Sequence, residues 1–362
     1  MKRFVKSALC ILFVAAFLLF VVFFTDAFNI FHYSNLRITS AEPNKNYVKT
    51  KYIIDNPDRF NAFVFGSSKV HNIPKDSLPL YSSDGTELHW YNMTYSMGCP
   101  YEHLQNLKTF LENGVEVKCV LIGIDDESSN TDSYIHEGEL LRKPYEISER
   151  SPLGFYWSYL WDGADIKTIG SILPQVIDNY LHPDKYKQTK VNFYSFGTNG
   201  NSMKVPDESD PEAYEHTFGW YYTNPDVIED IKDILQLCEE NNIEVVFFSS
   251  PIYRSVYIDG VQNGRYLEFL KDVAEITGFY NFYGLNAYST DCRYYENINH
   301  YRSYVGNQIL KMIWGDSQTR ETVKKEADAG MKVETLFGTY VDKENIDEVI
   351  KVLEDQIIQF SQ

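Results

Sequence analysis

Five stretches of the chain read as strands: 62–65 (AFVF), 88–93 (LHWYNM), 119–124 (CVLIGI), 244–250 (EVVFFSS) and 279–283 (FYNFY). The first and third are continuous apolar runs without charge, the pattern of central strands buried on both faces. Helical spacing recurs between them. Leu104, Leu107, Phe110 and Leu111 share one face before a stop at Gly114, and Val227, Ile228, Ile231, Ile234, Leu235 and Cys238 share another. A third helix is expected over 266–276. A fourth turns Val305, Ile309, Met312 and Ile313 inward, and a polar link over 317–332 leads to a last helix at 343–360. Strands alternating with helices predict a parallel sheet with helices on both of its faces.

The two ends of this pattern differ from its middle. Lys2, Arg3 and Lys6 precede an uncharged run from Ser7 to Thr25, long enough to span a bilayer as a helix. The run ends in Phe23, Phe24, Thr25 and Asp26 without a small-residue cleavage site, so residues 1–26 read as a retained signal anchor. The basic flank places the N-terminus in the cytoplasm and the rest of the chain outside it, a single-pass topology at the cell membrane. Residues 27–60 form a polar lead-in with one helical turn near 47–55, ended by Asn56-Pro57. Over 128–222 the alternation loosens. Apart from a helix at 165–180, that stretch reads as an insertion covering the site, within an α/β domain running from 61 to 362.

Charge narrows the partners. The chain carries a formal −18, of which the first 26 residues contribute +2, leaving −18 − 2 = −20 beyond them. So acidic a surface repels nucleic acid and anionic headgroups. Aromatic residues make up 15% of the chain, which suits a sugar ligand that stacks on rings and equally an ordinary Tyr-rich surface. Beyond Cys10, in the apolar run, the cysteines are Cys99, Cys119, Cys238 and Cys292, with no CxxC pair and no zinc-ligand spacing. Cys119 and Cys238 fall on apolar faces as core thiols. Cys99 and Cys292 lie in loops near the expected site, and a bridge between them stays open.

The loops after the first three strands, with the loop before the penultimate helix, should gather at one edge of the sheet, where open α/β sheets bind ligands. That edge would hold Ser67 and Ser68 after Gly66, the 92–98 loop, the Gly123–Asp126 turn and His300, which is expected to open a helix. A serine there is either a helix cap or, with a histidine to take its proton, a nucleophile. His71 and His103 read as solvated or packing histidines. Asn92-Met93-Thr94 fits an N-glycosylation pattern, which the location of Asn92 at the site edge argues against. Asp125, Asp126 and Glu127 have no second acidic cluster at metal-binding spacing.

Four segments, in this order, make the chain resemble an SGNH (GDSL-type) hydrolase of the membrane-anchored, envelope-modifying kind. GSSK (66–69) is similar to the G-D-S-L element, with Ser68 at the nucleophile and Ser67 in place of Asp. YNMTYSMG (91–98) is similar to the second element, with Thr94 where a glycine gives its main-chain N–H to the oxyanion. GIDD (123–126) is similar to G-x-N-D, with Asp125 for the oxyanion Asn. NINHY (297–301) is similar to D-x-x-H, with His300 as base and Asn297 for Asp. Asn297 keeps a carbonyl oxygen to orient the ring, as asparagine does in papain-like proteases, and Glu296 is its possible substitute. An ionised Asp125 facing an oxyanion would raise the barrier. It must point away or be protonated, or else the hole uses only the Ser68 and Thr94 main-chain donors.

The resemblance implies a flavodoxin-like three-layer sandwich, the SGNH fold, behind the N-terminal transmembrane helix. It implies a serine acyl esterase or O-acyltransferase working through an acyl-enzyme, with no cofactor, on an envelope glycan or polymer. D-alanyl transfer to teichoic acid and polysaccharide O-acylation are the reaction types of that branch. An integral membrane O-acyltransferase is the implied partner. The other reading is a silent scaffold or glycan-binding protein that keeps the crevice and has lost the chemistry.

Overall fold

The computed structural model describes residues 2–126, 128, 151–198, 200, 202–215, 222, 224–263 and 265–360. In chain order its first half comprises α1 (Lys2–Thr25), α2 (Lys45–Ile54), β1 (Ala62–Phe65), β2 (Trp90–Asn92), α3 (Pro100–Glu112), β3 (Cys119–Ile124), α4 (Pro152–Asp162), α5 (Ile166–Leu181) and α6 (Pro183–Phe196). There follow α7 (Asp226–Glu240), β4 (Glu244–Ser249), α8 (Arg254–Asn263), α9 (Tyr266–Ala274), β5 (Phe279–Asn281), β6 (Tyr295–Asn297) and β7 (His300–Tyr301). The chain closes with α10 (Ser303–Trp314), α11 (Ser317–Ala327), β8 (Thr339–Val341) and α12 (Ile346–Phe360).

The central sheet is ordered β2-β1-β3-β4-β5-β8. β1 pairs in parallel with β2 on one side and β3 on the other, and β4 and β5 continue in parallel. β1 and β3 bury every side chain, as their unbroken apolar runs require. Phe63 packs on Phe110 of α3 with ring centroids 4.9 Å apart. Each such phenylalanine contributes about 1.5–3 kcal/mol by leaving water. The chain leaves β1 for β2 on one side and reaches β3 on the other, so a crevice opens at the carboxyl ends of β1 and β3.

Several expectations need correction. The sheet is not wholly parallel, because β8 runs antiparallel to β5 at its edge; three residues are too few to show a strand period. The polar link over 317–332 contains α11, which buries only Val323 and Ala327 and so has no broad apolar stripe. α8, with Gly260 inside it, was likewise not legible as a helix. His300 does not open a helix. It stands in β7, paired with β6 in a two-stranded hairpin, and α10 begins three residues later. Cys99 and Cys292 are unbridged buried thiols, and Cys119 and Cys238 are buried as expected.

The lead-in is more than a polar tether. Ile30, Leu36, Tyr47 and Val48 share a buried cluster with Phe155, Tyr159 and Phe193 from the expected insertion. The described residues of that insertion form α4, α5 and α6, where Asp165 caps α5 by accepting from Thr168 N. α1 is long and apolar enough to cross a membrane.

Candidate active site

Glycine decides how β1 ends. Gly66 takes a φ of +149°, and a Cβ there would come within 2.6 Å of Val70; one at Gly123 of β3 would come within 2.3 Å of the same side chain. Val70 belongs to a 3₁₀ turn, Ser68–Val70, folded tightly over both strand ends. The two serines divide the work between them. Ser67 caps the turn, its Oγ accepting from Lys69 N at 3.1 Å and donating to Asp125 Oδ2 at 2.8 Å across the β1–β3 gap. Ser68 is thereby left facing the crevice.

His300 meets it there. Its Nε2 is 2.9 Å from Ser68 Oγ, and its Nδ1 is 2.8 Å from Asn297 Oδ1. The neighbours of Asn297 fix the proton positions. The main-chain N–H groups of Asn299 and His300 both point at Asn297 Oδ1, so that atom is the carbonyl oxygen, an acceptor only. Nδ1 must then carry the ring proton, and Nε2 offers its lone pair to the Ser68 hydroxyl. Burial, helped by nearby His71, Lys69 and Lys45, pushes the His300 pKa down to about 4. The imidazole is neutral at physiological pH, in position to take a hydroxyl proton.

Other residues named from the sequence are brought close but engaged differently. Thr94 N donates to Asn92 Oδ1 at 3.0 Å, so the main-chain donor expected to serve an oxyanion is already bonded. Asp125 turns to Ser67 and to Ser128 N, which donates to its Oδ1 at 2.9 Å. Asp126 pairs with the buried Lys69 ammonium. Glu296 lies beside His71 (3.9 Å from Nε2), and Asn297 holds the His300 ring. Asn92 is fully buried, which fits its being no glycan acceptor. Glu127 lies outside the described residues. The Ser68 N–H has no acceptor among the described residues.

These groups open into a cavity of about 390 Å³. Three of its walls were not anticipated. His71 lies 2.5 Å through Nδ1 from the Ser68 carbonyl oxygen and stands edge-on to His300, with burial holding its pKa below the ordinary histidine value. Its spacing of three from Ser68 was the available signal. Lys45 and Lys49 of α2 form a second wall. Lys49 is buried, its Nζ donating to Asn92 O at 2.9 Å and Thr94 O at 2.6 Å, and desolvation holds its pKa well below the usual lysine value. Phe193 and Thr198, in the last turn of α6 and just beyond it, form the third.

His103, by contrast, is a packing residue, buried among Phe65 and Tyr95. Among the described residues no three His, Cys, Asp or Glu side chains gather as a metal site. No protein-family model matches the sequence, and no curated protein matches it either.

Proposed function

We propose that this chain is a membrane-anchored serine acyl esterase or O-acyltransferase of the SGNH type, acting outside the cytoplasm on an envelope glycan or polymer. The observation that carries the reading is the line Ser68–His300–Asn297 at the crevice between β1 and β3, assembled from residues 232 apart in sequence. The strand order β2-β1-β3-β4-β5 is that of flavodoxin-like sheets and supports the fold expected of the family.

In this reading Ser68 Oγ attacks an ester carbonyl carbon as its proton passes to His300 Nε2. The carbonyl oxygen carries the charge of the tetrahedral intermediate, facing the Ser68 N–H. Collapse breaks the ester C–O bond, His300 returns the proton to the departing alkoxide, and the acyl group stays on Ser68. Water or a sugar hydroxyl then repeats the sequence in reverse. An integral membrane O-acyltransferase would supply acyl groups from across the bilayer.

One observation favours a second reading, a non-catalytic scaffold or glycan-binding protein. The engaged Thr94 N–H and the inward turn of Asp125 leave an oxyanion with fewer donors than the family uses. A fluorophosphonate probe separates the two. Labelling that disappears in Ser68→Ala supports the enzyme, and folded protein that takes no label supports the scaffold.

A further inference from the structure

α4 has two apolar faces, and among the described residues protein covers only one of them. Phe155 and Tyr159 point inward, their rings 4.9 Å apart in the cluster with Tyr47 and Phe193. Leu153, Trp157 and Trp161, spaced four apart, form a second stripe that is 79%, 58% and 75% exposed. No charged residue occurs between Pro152 and Trp161. Ile166, at the start of α5, extends the patch at 84% exposure, and Ile177 and Leu181 carry it along that helix. A helix facing water would place charge on such a stripe.

What lies beside the patch identifies its occupant. The turn between α4 and α5 is packed on the last turns of α1: a Cβ at Gly163 would come 2.9 Å from Val22 Cγ1, and Val22 is buried. Phe24, Ala27 and Phe28 close over Ile172 and Val176 of α5. Counted from the basic residues at its other end, a helix rising about 1.5 Å per residue through about 30 Å of hydrocarbon reaches the far boundary near Val22–Thr25. The α4–α5 pair is thus fixed at the level where the bilayer ends. Two tryptophans on an apolar face at that level match the chemistry of the headgroup–acyl boundary.

We infer that α4 and α5 form a foot lying in the outer membrane–water interface, with Leu153, Trp157, Trp161 and Ile166 in the lipid. The inference rests on reading α1 as a membrane span. It also deepens the proposed function. Phe155 and Tyr159 touch the cluster that contains Phe193, whose ring lines the cavity beside Ser68. The cavity then stands one layer of side chains from the lipid, and its substrate is presented at the membrane surface.

The test uses the full chain reconstituted in phosphatidylcholine vesicles, with and without brominated acyl chains. Resistance to carbonate extraction reports α1. The emission of Trp157 and Trp161, taken as the difference between the chain and its W157F/W161F variant, is expected to fall about two-fold or more in brominated lipid. In the W157F/W161F background, a Leu80→Trp substitution beside the amino end of β2 should add emission that bromine leaves unchanged. Integrated protein whose difference emission is unquenched overturns the foot while the span stands. Equal quenching at position 80 also overturns it. Protein released by carbonate overturns the span and the foot together.

Discussion

Asn297 Oδ1 lies 2.8 Å from His300 Nδ1, giving the ring an acceptor that bears no charge. With no carboxylate there, burial and the nearby cationic groups dominate, and the imidazole titrates near 4. An ionised carboxylate at this distance favours the imidazolium and raises a histidine pKa by about 1–3 units. In the proposed esterase reaction, Asn297→Asp should therefore move the acid limb of kcat/KM for a chromogenic acetate ester from near pH 4 to about 5–7. The sign is fixed: the variant loses activity at a higher pH than the parent. An unmoved limb would mean that position 297 does not face the ring in solution.

Lys69 and Asp126 set a second expectation. The ammonium is fully buried next to Ser68, and Asp126 at the end of β3 supplies a counter-charge. Removing one member of a buried pair costs about 3–5 kcal/mol, whereas replacing both with apolar residues of similar size is often close to neutral. In urea titrations Asp126→Asn should lose about that much stability. Lys69→Met combined with Asp126→Leu should lose much less. A double variant as unstable as the single one would show that the side-chain volumes, rather than the charges, hold this corner.

The sequence announced this edge of the sheet more clearly than its walls. β1 and β3 were legible to the residue because buried parallel strands have no polar alternation to blur their ends. Ser68 could be named because it sits where a buried strand breaks into a turn. His300 was named from its place before the penultimate helix and from the likeness of NINHY to D-x-x-H, and the hairpin that holds it was not legible. Lys49 could not. On a helix reading KNYVKTKYII a lysine looks solvated, and only tertiary packing turns it onto the carbonyls of Asn92 and Thr94. The engagement of the Thr94 N–H was hidden for a related reason, since it depends on the rotamer of a side chain two residues away. β8 and α11 were missed because short or narrow contacts leave too little periodicity to read.

Lys49 carries its own prediction. Its two hydrogen bonds tie α2 to the 92–94 loop, which forms one wall of the cavity. Lys49→Met keeps most of the volume and leaves two carbonyl oxygens without that donor, at about 1–3 kcal/mol each if no water reaches them. The expected result is a lower melting temperature together with slower fluorophosphonate labelling of Ser68. Unchanged melting would show that the loop holds its shape without the ammonium.

His103 is the sharpest case for stability against pH. Neither ring nitrogen has a hydrogen-bond partner among the described residues, and burial pushes its pKa down to about 3. In the unfolded chain the ring titrates near 6.5, so below about pH 6.5 the unfolded state takes up a proton that the folded state refuses. The stability contributed by the neutral His103 ring is complete above that value and falls by about 1.4 kcal/mol per pH unit as acid is added, until the folded ring protonates. Phenylalanine has a similar shape and no proton to bind. His103→Phe should leave the melting temperature at pH 8 equal or higher, and it should recover about 2 kcal/mol of what the parent loses on going to pH 5. His71 and His300, also held below ordinary values, keep part of the slope in the variant. Thermal melts of both proteins at the two pH values decide the matter: an undiminished pH dependence in the variant would mean that His103 finds a proton-binding partner in the folded protein.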